Sequence, residues 1–129
     1  MPGRSGALWT LAFLVALAAA LRFVGLSAGL RHTPHIDERY FVEAVADMIA
    51  AGSLDHRVYG YPGFFFYLLA LPLSWVDAAH RQADVVTAPA LAAPAYLVGR
   101  VLAAFLGVLQ VPLAYALGAR VAGRLDRPL

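Results

Sequence analysis

Asp37 and Glu38 stand side by side in the run HIDERYFVEAVADMIAAG. Two neighbouring carboxylates ahead of a helical pattern have a chemical use and a structural one. A carboxylate held at a bilayer edge can act as a general base, taking the proton from a hydroxyl acceptor while a lipid-linked donor lies in the membrane. Equally, Asp is a favoured N-cap, and acidic side chains suit the positive end of the helix dipole. The two residues by themselves leave both readings open. Arg100 is the next group with chemistry in it. A guanidinium at the edge of an apolar helix is costly unless it snorkels to headgroups or meets an anion, and a lipid phosphate fits its planar fork. His32, His35 and His56 lie close together in the chain, but their spacing matches no pattern with metal-ligand geometry, so no metal site is assigned. Tyr59, Tyr61 and Tyr67 are candidates for stacking on a sugar ring, or for an aromatic belt at the membrane interface.

These groups need elements to position them. From Asp37 onward, Phe41, Val42, Val45, Met48 and Ile49 recur with helical spacing, while Glu43 and Asp47 fall on other faces. Gly52 is a natural stop. The pattern predicts a helix from Asp37 to about Ala51, lying along the membrane surface with Phe41, Val45 and Met48 toward lipid.

The membrane enters through composition. Of the 129 residues, 61% are hydrophobic and 14% charged, and mean hydropathy is +0.69. Soluble domains run to about half apolar and a quarter charged. The surplus falls in three segments: Ala7 to Leu26, Tyr61 to Val76 and Tyr96 to Leu117. The first is of spanning length. Arg22 near its end can snorkel, and its apolar character runs past Ala18-Ala19-Ala20, which favours an uncleaved span over a signal peptide. The second, YPGFFFYLLALPLSWV, is a short span or an interfacial segment with Tyr61, Tyr67 and Trp75 as anchors. In the third, Pro94 is expected in the first helical turn and Pro112 at a kink. Gly99, Ala103, Gly107 and Ala114 would permit close helix packing. Between the first two segments, the polar loop Ser27 to Gly60 carries most of the acidic and histidine residues. The fold class expected is all-α: a polytopic membrane protein with two to three transmembrane helices and an amphipathic surface helix in its first loop.

Several function classes drop out. The basic residues are all Arg and are scattered, so no basic face for nucleic acid forms. With no cysteine in the chain, disulfides and thiolate metal sites are excluded. There is no glycine-rich phosphate loop, no Ser nucleophile elbow and no HExxH.

Taken in order, the first span, HIDERYFVEAVADMIAAGSL, YGYPGFFFYLLALPL and VGRVLAAFLGVLQVPLAYALGARVAG resemble the start of a GT-C glycosyltransferase. The similarity is to family 39 and protein O-mannosyltransferase relatives, including the lipid A aminoarabinose transferases. It covers Leu8 to about Gly123, and it rests on the order and spacing of motifs that are each weak alone. The resemblance implies that residues 1–129 are the N-terminal portion of a GT-C-like membrane domain, since such enzymes are several times longer.

It further implies a sugar transfer with inversion from a polyprenyl-phosphate donor to a hydroxyl acceptor (glycan, lipid or protein). Asp37 would be the catalytic base. Glu38 would lie near the acceptor or a divalent cation, and Arg100 would be a candidate for the donor phosphate. Many relatives carry a Lys or a second proline around Pro62; this chain has Gly63 and no Lys. The resemblance implies an integral protein of the plasma (inner) membrane with the acidic loop on the outer face. If the second segment dips without crossing, Asp37 and Arg100 share that face and the Arg120, Arg124 and Arg127 tail returns inside, in keeping with the positive-inside tendency. The alternative from a different class is a small non-enzymatic membrane subunit or scaffold whose amphipathic loop contacts a partner.

Overall fold

The computed structural model describes residues 4–30 and 35–125. Among them the secondary structure is entirely helical: α1 Arg4–Phe23, α2 Ile36–Ala51, α3 Phe64–Leu73, α4 Ala78–Arg81 and α5 Pro89–Leu125. The chain forms two compact units, one of Leu26–Leu102 and one of Met1–Gly25 with Ala103–Leu129. Helix α5 contributes residues to both.

Two stretches, Ser5–Phe23 and Pro89–Ala122, are long and apolar enough to cross a bilayer. Only 6% and 11% of their most apolar windows are buried by the rest of the chain. The core helix of a soluble protein would be mostly covered, so these two present their apolar surface outward. Leu8, Trp9, Phe13 and Leu21 of α1 are all exposed.

The first segment ends earlier than its hydropathy suggests. Helix α1 stops at Phe23, and Val24, Gly25 and Leu26 belong to the turn that follows. Gly25 sits at φ 81°, a left-handed conformation that glycine adopts without steric cost. In this unit Ala18 and Ala104 are the buried residues among those described. Of the small residues expected to ease packing, Ala103 and Ala114 are exposed, whereas Gly107 is approached by the Arg22 side chain, whose Cδ would lie 2.8 Å from a Cβ there.

The third segment begins earlier than expected. Ala88 accepts the first helical N–H bonds of α5 (from Leu91, 3.0 Å, and Ala92, 3.1 Å), so Pro89 takes the first-turn place expected for Pro94. Pro94 lies inside, and the helix continues through it and through Pro112.

The core of the Leu26–Leu102 unit is built where α2 meets α3 and the early part of α5. Val42, Val45 and Met48 from α2 join Phe66, Leu69 and Leu73 from α3, with Ala92, Ala95 and Tyr96 from α5. This corrects the surface-helix expectation: Val45 and Met48, at 0% and 3% exposure, face protein rather than lipid. Phe41 packs on the same core, edge to face with Phe65 at 5.0 Å.

Helix α2 ends as its sequence requires. Gly52 adopts φ 60°, and the Gly52 and Ser53 N–H groups bond back to Ile49 and Met48 carbonyls, a glycine-terminated Schellman stop. The middle segment shortens to α3, ten residues or about 15 Å of helix, half of a hydrocarbon core. As a single helix α3 is too short to cross.

Candidate functional site

The start of α2 holds the two acidic candidates, in unequal surroundings. Asp37 is not the cap. His35 occupies that position, and its Nδ1 accepts the Asp37 backbone N–H at 3.3 Å. Ile36, Asp37 and Glu38 then form the first turn, where negative charge meets the exposed N–H groups of the helix. The same His35 Nδ1 lies 3.4 Å from Asp37 Oδ2.

Glu38 points to α5. Its carboxylate meets the Arg100 guanidinium with Nη2–Oε2 at 3.0 Å and Nε at 3.2 Å from each oxygen. Arg100 Nη1 donates to the Leu26 carbonyl at 2.8 Å and the Ala28 carbonyl at 2.6 Å. A guanidinium has five N–H groups, and this set engages all but one, on Nη2. Arg100 is therefore a clasp joining α5, the first turn of α2 and the segment after α1, all within the Leu26–Leu102 unit. It is not the solvent-seeking group that snorkelling describes. Both Glu38 oxygens are occupied by the same contact.

Asp37 is left as the accessible carboxylate. Its side chain is 55% exposed against 32% for Glu38, and among the described residues no arginine pairs with it. Tyr40, Ala44 and Asp47 follow it at i+3, i+7 and i+10, along one side of α2. Tyr40, Ala44 and Asp47 also line, with Glu43 and the Asp55–Val58 segment, a hollow of about 190 Å³. A second hollow of about 410 Å³ continues past Asp47 to Ser53, Asp55 and Arg57. The Asp55 carboxyl is held below the usual carboxylate range, chiefly by the Arg57 backbone N–H and then by the Tyr59 hydroxyl. Arg57 holds φ 55°, rare for a residue with a side chain.

The remaining candidates fall apart spatially. His56 is half-buried: its ring stacks on Phe66 at 4.3 Å and 7°, and its Nδ1 accepts the Val58 N–H. A Cβ at position 63 would meet His56 Nε2 at 3.2 Å and Tyr67 Cε2 at 3.3 Å, so glycine there admits the imidazole. His32 and Arg31 lie outside the described residues, as does Arg127. Among the described residues no three His, Cys, Asp or Glu side chains converge as metal ligands. Tyr59 donates to Asp55 at 2.8 Å, and Tyr61 packs on Phe41 at 5.1 Å.

Two contacts escape sequence reading. Glu43 Oε1 accepts from Arg39 Nε at 3.0 Å and from the Tyr96 hydroxyl at 3.4 Å, tying α2 to α5 a second time. The i,i+4 spacing of Arg39 and Glu43 signals the first of these; nothing local signals the second. No protein-family model, curated protein or solved structure matches this chain.

Proposed function

We propose that this chain is the acceptor-facing, N-terminal part of a membrane glycosyltransferase of GT-C type, transferring a sugar from a polyprenyl-phosphate donor to a hydroxyl acceptor. The observation that carries the reading is the division of labour in the acidic pair. Glu38 is committed to Arg100, and Asp37 beside it is exposed and free of any arginine among the described residues. A general base has to reach the proton it removes, and Asp37 is the one of the two that can.

In this reading the acceptor hydroxyl gives its proton to Asp37 as its oxygen bonds to the anomeric carbon. The bond from that carbon to the lipid phosphate breaks, and the phosphate leaves with the electron pair. The acceptor approaches along the hollow lined from Tyr40 to Asp47. Glu38 and Arg100 act as a positioning pair, with the one remaining Arg100 N–H directed to the donor phosphate. The protein sits in the plasma (inner) membrane, with Ser5–Phe23 and Pro89–Ala122 as the stretches long and apolar enough to cross it.

The test is transfer of labelled sugar from a polyprenyl-phosphate donor in membranes carrying the uninterrupted reading frame. Asp37→Asn keeps the size of the side chain and alters only the charge in the first turn of α2. Transfer should fall by at least about 100-fold, the lower range for losing a positioned base. A variant with normal turnover overturns the assignment of Asp37. Absence of transfer by the unaltered protein favours the non-enzymatic subunit instead.

A further inference from the structure

Helix α3 carries no charged residue and is apolar on every side. One side is spent: Phe66, Leu69 and Leu73 are fully buried. The other is not. Phe64, Tyr67 and Leu71 recur at i, i+3 and i+7 with 75%, 47% and 63% exposure, and Trp75 follows in the next turn at 81%. A helix apolar all round belongs inside a protein or inside lipid, and at ten residues this one is too short to span.

The C-terminal end of α3 carries an independent observation. The last carbonyls of a helix lack intrahelical partners and are ordinarily left to water or to caps. Here each one from Ala70 to Ser74 is paired within the protein. Ser74 N–H bonds to Ala70 at 2.9 Å, Ser74 Oγ to Leu71 at 2.7 Å, Trp75 N–H to Pro72 at 3.3 Å and Val76 N–H to Leu73 at 3.1 Å. Arg81 then reaches back, its Nη1 donating to the Ser74 carbonyl at 3.1 Å and also to the Val76 carbonyl. Complete internal pairing is what a backbone needs where water is scarce, and Arg81 supplies part of it from the polar edge.

We infer that the Phe64–Tyr67–Leu71–Trp75 face of α3 is a bilayer-docking surface, seated at the boundary between headgroups and acyl chains with Arg81 at its polar rim. The occupant is lipid. Two features of the chain select it over a protein partner. The Leu26–Leu102 unit is joined in sequence at both ends to stretches long and apolar enough to insert, which keeps it at a membrane. The exposed face includes Tyr and Trp, the residues enriched at membrane interfaces. The helix that lies on lipid is thus α3, not α2. This inference rests on membrane insertion and is independent of sugar transfer.

The chain has no cysteine, so single nitroxide labels can be placed without background. The whole chain is reconstituted in vesicles of phosphatidylcholine and phosphatidylglycerol, labelled singly at positions 64, 67 and 71. Positions 40 and 47 report on α2, and position 13 reports whether α1 has inserted. Collision with oxygen should exceed collision with a water-soluble nickel chelate several-fold at 64, 67 and 71, with the order reversed at 40 and 47. Nickel-accessible labels on α3 beside a lipid-exposed label at 13 overturn the docking surface alone. Low collision with both reagents on α3 shows a protein covering the face and overturns it too. A nickel-accessible label at 13 overturns the membrane insertion on which it rests.

Discussion

Arg100 and Glu38, 62 positions apart in the chain, meet through Nη2–Oε2 at 3.0 Å with Nε reaching both carboxylate oxygens at 3.2 Å. The pair brings a residue of α5 to the first turn of α2, and Nη1 of the same guanidinium holds the Leu26 and Ala28 carbonyls. Arg100→Gln should destabilise the Leu26–Leu102 unit by about 1.5–3 kcal/mol, the range for hydrogen bonds to charged groups, toward the lower end because the pair is partly exposed. Arg100→Lys should not restore the loss, because an ammonium cannot hold a carboxylate and two carbonyls in one plane. In a double-mutant cycle with Glu38→Gln, measured by unfolding in detergent, the coupling should reach about 0.5–3 kcal/mol. A coupling of zero would show that the contact carries no stability.

His35 caps α2 through the Nδ1 lone pair. His35→Ala should cost about 0.5–2 kcal/mol, as other cap losses do, and His35→Asn should preserve the helix start. Hydrogen exchange at the Asp37 amide reads this directly: faster in the Ala variant, near normal in the Asn variant. Equal exchange in both would remove the histidine from the cap.

Helix α3 is half a bilayer long. Cysteines placed singly at positions 47 and 77, before and after it, should therefore react with an impermeant thiol reagent from the same side of sealed vesicles. Reaction from opposite sides would mean that α3 crosses.

Asp55 and Asp84 should titrate below the ordinary aspartate range. The cause at Asp55 is the Arg57 N–H and then the Tyr59 hydroxyl; at Asp84 it is the Thr87 and then the Val86 N–H groups. A depressed folded-state value means that each carboxylate contributes stability above its unfolded value, about 3.9, and loses it as pH falls through the lower folded value. Carboxyl carbon shifts followed by NMR through that window check the direction. A midpoint at or above about 3.9 for either residue would contradict its hydrogen bonds.

Much of the element plan is legible in single stretches of chain. The two long apolar helices follow from length and hydropathy, and the end of α2 follows from Gly52, since a left-handed residue is required there and glycine supplies it. The acidic pair is recognisable as the start of a helix because charge preferences at helix ends are local. What covers each apolar face is another matter. The spacing of Val42, Val45 and Met48 marks a face, but lipid and protein satisfy such a face equally well. Only the packing of Phe66 and Leu69 against it assigns it to the core, and by the same packing leaves Phe64, Tyr67 and Leu71 outward. The site divides the same way. Asp37 and Glu38 are equivalent carboxylates in the chain, and only the arrival of Arg100 from α5 makes one of them a structural partner and leaves the other exposed. Hydropathy and helix propensity act over a few neighbouring residues, whereas pairings across tens of residues depend on how the helices pack, which no local pattern encodes.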